Sequence, residues 1–100
     1  MNGHSLKLVT IVAERVIRER LVNDIKEMGA KGYTLTDVKG EGSRGVRASE
    51  FEGKNVKIET IVSDAVATLI VDHVAEGYFE NYAVIVYVQD AVVVRGTKYV

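Results

Sequence analysis

The apolar residues of this chain change period along its length, and the order of those changes restricts the folds it can reach. Residues 7–13, KLVTIVA, form a short run rich in β-branched side chains, the mark of a strand. Ile17, Leu21, Ile25 and Met28 then recur at helical spacing, with Val16 and Val22 beside them. Arg15, Arg18, Glu19, Lys26 and Glu27 fall mostly away from that stripe. Gly29 suits the left-handed position that ends a helix. The next stretch, GYTLTDVKG, alternates, with Tyr33 and Leu35 on one face and Thr34, Thr36 and Val38 on the other. VKIETIV alternates again: Val56, Ile58, Thr60 and Val62 make a core row, and Lys57, Glu59 and Ile61 point the opposite way. Ser63 is an N-cap candidate and Asp64 favours the first turn of a second helix. That helix carries Val66, Ile70 and Val74 in one row and Ala67 and Val71 in the next, and Gly77 is expected to end it. YAVIVYVQ is a fourth strand, whose near-continuous apolar character predicts burial on both faces. AVVVRG continues that strand or adds a short one.

The order is β-α-β-β-α-β, which predicts an α+β, ferredoxin-like sandwich with two helices on one face of an antiparallel sheet. The opposite face keeps Thr34, Thr36, Val38, Ile61 and part of the last strand uncovered, so self-association through it is expected. One hundred residues make a single domain, 1–100. With 47% hydrophobic and 27% charged residues the composition is that of a soluble globular protein. A net charge of −1 argues against bulk nucleic-acid binding. No apolar run approaches the roughly twenty residues of a membrane span, and the first residues do not read as a signal peptide. Without cysteine there are no disulfides and no thiol catalysis, and a cytoplasmic location is the expectation.

The chemistry-bearing candidates concentrate in the polar stretch VKGEGSRGVRASEFEGKN. Gly40, Gly42 and Gly45 allow left-handed backbone that turns N–H groups towards one point, an arrangement that binds anions. Ser43 adds a hydroxyl, and Arg44 and Arg47 add planar donor forks suited to phosphate or carboxylate. These are the parts of a phosphate cradle, although no Gly-Lys-Ser/Thr opens a helix as in a P-loop. The alternative is a solvated hairpin loop whose glycines serve only the turn. Glu59 either reads the edge of a purine with Ile61 packed on its ring, or is an exposed strand glutamate paired with lysine. His4 and His73 stand in no metal-ligand pattern, and Glu50 with Glu52 makes a solvated acidic pair more readily than a cation site. No metal centre and no catalytic constellation is expected.

GYTLTDVKGEGSR followed by VKIETIV, a helix and IVYVQDAVVVRG resembles the PII signal-transduction superfamily over nearly the whole chain, residues 6–96. In that family a strand runs into a long T-loop and a V-K-I-E strand returns; here the T-loop is about 41–54. Residues 41–48, EGSRGVRA, and 78–87, YFENYAVIVY, are similar to the PII-like branch linked to inorganic-carbon uptake, which includes regulators of the sodium-dependent bicarbonate transporter and carboxysome-associated PII proteins.

The resemblance implies a non-enzymatic homotrimer that binds adenine nucleotides (AMP, ADP, ATP or cyclic AMP) in clefts between subunits, with bicarbonate a further ligand. Ordering of the T-loop would then regulate a partner, such as a membrane bicarbonate transporter, or act at a carboxysome. On this reading Gly40, Gly42, Ser43, Arg44 and Arg47 hold phosphate. Thr34, Glu59 and Ile61 face the adenine, and Tyr82 and Ala83 replace the segment that lends a lysine in ordinary PII proteins. The departures argue against triphosphate and magnesium binding in the ordinary mode: the G-D-G-K loop is replaced by residues 80–83, and of the paired arginines near the domain's end only Arg95 stands nearby. Phe51 lies near the position of the tyrosine that some members modify. The competing readings are an anion- or metal-binding ferredoxin-like trimer without nucleotide, and a slow nucleotide hydrolase.

Overall fold

A computed structural model describes residues 1–40 and 54–95. Strand β1 spans His4–Glu14 and is followed by a single 3₁₀ turn, Arg15–Ile17, and helix α1, Arg18–Glu27. Strands β2, Thr34–Lys39, and β3, Lys54–Val62, precede helix α2, Asp64–Tyr78, and strand β4, Val84–Val93. The four strands form one sheet in the order β2-β3-β1-β4. Every neighbouring pair is antiparallel. Each helix therefore carries the chain past one strand before it rejoins the sheet, which is the split βαβ arrangement of the ferredoxin-like fold.

The core lies between the helices and one sheet face. Val9, Ile11 and Ala13 of β1 and Val56, Ile58 and Val62 of β3 are buried against Leu21 and Ile25 of α1 and Ala67, Ile70 and Val74 of α2. Each fully buried Ile, Leu or Val contributes about 1.5–3 kcal/mol by leaving water. The alternation read from VKIETIV is the one observed: Val56, Ile58, Thr60 and Val62 are all buried, and Lys57, Glu59 and Ile61 only partly so. Gly29 has φ +116°, the left-handed conformation expected after α1. A side chain there would also crowd Val66, whose Cγ2 lies 3.2 Å from where a Cβ would stand. Ser63 caps α2, its Oγ accepting the Val66 N–H at 3.3 Å.

Several expectations are corrected. The first strand starts at His4, not Lys7, because β4 runs on to Val93 and pairs with it there; of AVVVRG, residues 91–93 thus continue β4. Val16 does not join the apolar stripe of α1. The tight 3₁₀ turn rotates it outwards and it is 62% exposed. Gly77 does not end α2, which runs on to Tyr78. The chain leaves that helix in right-handed backbone at Phe79, and the Tyr78 carbonyl accepts from the Asn81 and Tyr82 N–H groups at 3.3 and 3.0 Å. The largest departure is β4, expected to be buried on both faces. Among the described residues it is an edge strand bonded only to β1. Val84 and Val86 pack on the core, whereas Ile85 and Val92 are each 56% exposed and Tyr87 and Val88 are exposed as well.

Candidate functional site

Strand register, more than any one residue, assembles the predicted site. Thr34 of β2 pairs with Glu59 of β3. Glu59 pairs on its other side with Thr10 of β1, and Thr10 in turn with Tyr87 of β4. Paired residues share a face, so Thr34, Glu59, Thr10 and Tyr87 form one polar row across the face turned away from α1 and α2. Ile61, two residues along β3, lies beside that row opposite Leu8. The three residues predicted to face an adenine are thus brought together on one surface. The Glu59 carboxylate and the Thr34 hydroxyl, with Ile61 beside them, supply hydrogen-bonding groups for the edge of a heteroaromatic ring and apolar surface for its face, whereas Thr10 in the same row is buried.

A second group collects at the sheet end from which residues 41–53 depart. There Val38 pairs with Asn55 and Asn55 with Glu14. Glu14 continues the row to Ala83, donating its N–H to the Ala83 carbonyl at 3.1 Å. The Ala83 N–H donates to Glu14 Oε2 at 2.6 Å. Gly40 follows the last residue of β2, so Gly40 and Ala83 belong to the same end of the sheet, at its opposite edges. Val38 and Thr34 are four strand residues apart, which sets the two groups about 13 Å apart along the sheet.

Tyr82 is braced from the helical side. Its ring lies 5.9 Å from that of Tyr78, and its hydroxyl accepts from Arg20 Nη1 at 3.4 Å. The Arg20 guanidinium sits 5.2 Å from the centre of the Tyr78 ring, a cation–π distance. Tyr78 donates its hydroxyl to Asp24 Oδ2 at 2.5 Å, and His73 Nε2 lies 2.8 Å from the same oxygen. Burial, then the hydrogen bond to Asp24 and the Asp24 charge, push the Tyr78 phenol up to about 12.

Gly42, Ser43, Arg44 and Arg47, together with Glu50 and Glu52, lie outside the described residues. Among the described residues no three His, Asp or Glu side chains could hold a metal ion. Sequence reasoning missed Thr10, Tyr87 and Glu14. Thr10 was discernible as a polar residue inside KLVTIVA, and Tyr87 by alternation along the fourth strand. Glu14 gave no such signal, because a glutamate after an apolar strand and before a helix looks like an ordinary helix-start acid.

Comparison with known proteins bears on this geometry. The profile of the family described as Nitrogen regulatory protein P-II matches residues 6–98. The crystal structure of a candidate PII-like signaling protein from Thermus thermophilus is 55% identical, covers 100% of both chains and superposes with a TM-score of 0.86. The structure of CPII from Thiomonas intermedia bound to ADP and bicarbonate is 24% identical, covers 99% of this chain and 98% of that one, and gives a TM-score of 0.85. A further structure of CPII, bound to ADP, AMP and bicarbonate, is 22% identical with 98% and 96% coverage and a TM-score of 0.81. At that identity the CPII likeness speaks for the fold. With the profile spanning nearly the whole sequence and a full-length relative above half identity, this chain belongs to the P-II family.

Proposed function

We propose that this PII-like signalling protein is a non-enzymatic sensor that binds an adenine nucleotide between copies of the chain in a homotrimer. Thr34, Glu59 and Ile61 receive the adenine, and Gly40, Gly42, Ser43, Arg44 and Arg47 receive the phosphates, beside the backbone of Tyr82 and Ala83. The observation that carries the reading is the sheet face away from α1 and α2, which holds the polar row Thr34–Glu59–Thr10 in its middle and has Gly40 and Ala83 at the two edges of one end. A second copy covering that face would enclose both groups between chains, where exclusion of water strengthens charge-assisted bonds. ADP and AMP are the first ligands to test, with ATP and cyclic AMP after them, and bicarbonate is proposed as a second ligand. CPII, a protein of the same fold, was crystallised with ADP, AMP and bicarbonate.

Signalling would pass through residues 41–54. Gly42, Gly45 and Gly53 make any one conformation of that segment entropically costly, and bonds from Arg44 and Arg47 to phosphate offset the cost. The nucleotide shifts the segment's population only to the extent that it binds one conformation more tightly than the others. The partner that reads the shift is proposed to be a membrane transporter of bicarbonate or another component of inorganic-carbon concentration, including the carboxysome. Titration calorimetry with AMP, ADP, ATP and cyclic AMP, on wild type and Arg47→Ala, tests the proposal. Binding that weakens at least tenfold in Arg47→Ala is expected, about 1.4 kcal/mol or more for loss of a charge-assisted fork. No binding of any of the four would end the nucleotide reading.

A further inference from the structure

Among the described residues the buried polar side chains are Thr10, Glu14 and Thr60, and Glu14 alone of these is ionisable, at 1% exposure. Burying a carboxylate is unfavourable unless donors meet it, so the groups that meet it indicate what it does. Glu14 Oε2 accepts the Ala83 N–H at 2.6 Å, and the Glu14 N–H donates to the Ala83 carbonyl at 3.1 Å. Both backbone groups of Ala83 are thereby held by one residue of β1. On the other side, the Asn81 and Tyr82 N–H groups are held by the carbonyl of Tyr78 at the end of α2. Residues 79–83 hang between these two anchors.

From this arrangement we infer that Glu14 is a positioning residue: it fixes the turn before β4, and with it the Tyr82–Ala83 segment that the nucleotide reading places at the site. The consequence for affinity rests on the nucleotide reading given above; the clamp itself rests on the Glu14–Ala83 bonds. A carboxylate suits the role because an ionised acceptor makes a shorter and stronger bond to an amide than a neutral one. Glutamate also has the reach. Aspartate at this position is one methylene shorter and leaves the Ala83 N–H unmet, whereas glutamine keeps an acceptor oxygen at the same distance.

The test combines amide hydrogen exchange of Ala83 in the nucleotide-free protein with calorimetric titration of ADP, on wild type, Glu14→Gln, Glu14→Asp and Glu14→Ala. Exchange at Ala83 is expected to quicken about tenfold or more in the Asp and Ala variants, and ADP affinity to fall by roughly tenfold in the same two. Glu14→Gln is expected to restore most of both, which a general loss of packing would not do. Should Glu14→Ala fail to fold, the Asp and Gln pair decides the question. Glu14→Asp with wild-type exchange and wild-type ADP affinity overturns the inference, as does Glu14→Gln failing as fully as Glu14→Asp. Wild-type protein that binds no ADP, while Ala83 exchange responds as expected, overturns the nucleotide reading and leaves the positioning role standing.

Discussion

Thr60 stands in the core row of β3 among valines and isoleucines, and its hydroxyl donates to the Gly32 carbonyl at 2.6 Å. That bond fixes the chain two residues before Thr34, at the start of β2. Thr60→Val keeps the shape and leaves the Gly32 carbonyl without this donor, so a loss of about 1–2 kcal/mol is expected in chemical denaturation, with an unchanged denaturant slope. Tyr78 gives a second prediction, set by pH. Its phenol is raised from the ordinary 10.0 to about 12, so the folded state favours the neutral form. The resulting stability is fully present below pH 10 and is lost as the pH rises from 10 towards 12. Denaturation midpoints measured across that window should fall in wild type more steeply than in Tyr78→Phe; parallel falls would contradict the assignment. At this scale the core row was legible because a period of two cannot be mistaken once four branched residues obey it. Glu14 was not, because its role depends on Ala83, 69 residues away in sequence.

The elements differ in how far local sequence determines them. The cap of α2 was legible, since Ser63 supplies an acceptor where the first turn has unmatched N–H groups, and Ser63→Ala is expected to cost about 1 kcal/mol in thermal or chemical unfolding. The first turn of α1 and the end of α2 were misplaced. A 3₁₀ turn and a backbone-bonded helix end carry no residue signature of their own. Strand β4 shows the deeper limit. Its apolar run looked like a strand buried on both faces, yet within one chain it is an edge with Ile85, Tyr87 and Val92 exposed. An apolar edge strand that turns Ile85 and Tyr87 to the face away from α1 and α2 is a surface for association. Tyr87→Glu is therefore expected to lower the oligomeric state seen by sedimentation velocity and to leave the helical and strand content of the chain unchanged. An unaltered sedimentation coefficient would remove β4 from the contact.

Across the whole molecule, the order of periods was enough to predict a ferredoxin-like sandwich, and the observed β2-β3-β1-β4 sheet is of that kind, because two βαβ halves interleave in only a few ways. The site was legible in parts. Thr34, Glu59 and Ile61 could be placed on a common face by alternation, but their alignment with Thr10 and Tyr87 follows from register, which alternation leaves open. Gly40 and Ala83 stand at the same sheet end but at opposite edges, beside β2 and β4, and no local pattern encodes that placement. The two groups share an open face, and the nucleotide is proposed to lie between copies of the chain that cover it. A crystal structure of the protein with ADP tests this most directly. The adenine is expected against Thr34, Glu59 and Ile61, the phosphates at Gly40 with Arg44 and Arg47, and the Ala83 backbone alongside, all enclosed between two subunits. ADP bound elsewhere, or within a single chain with neither arginine near a phosphate, would contradict it.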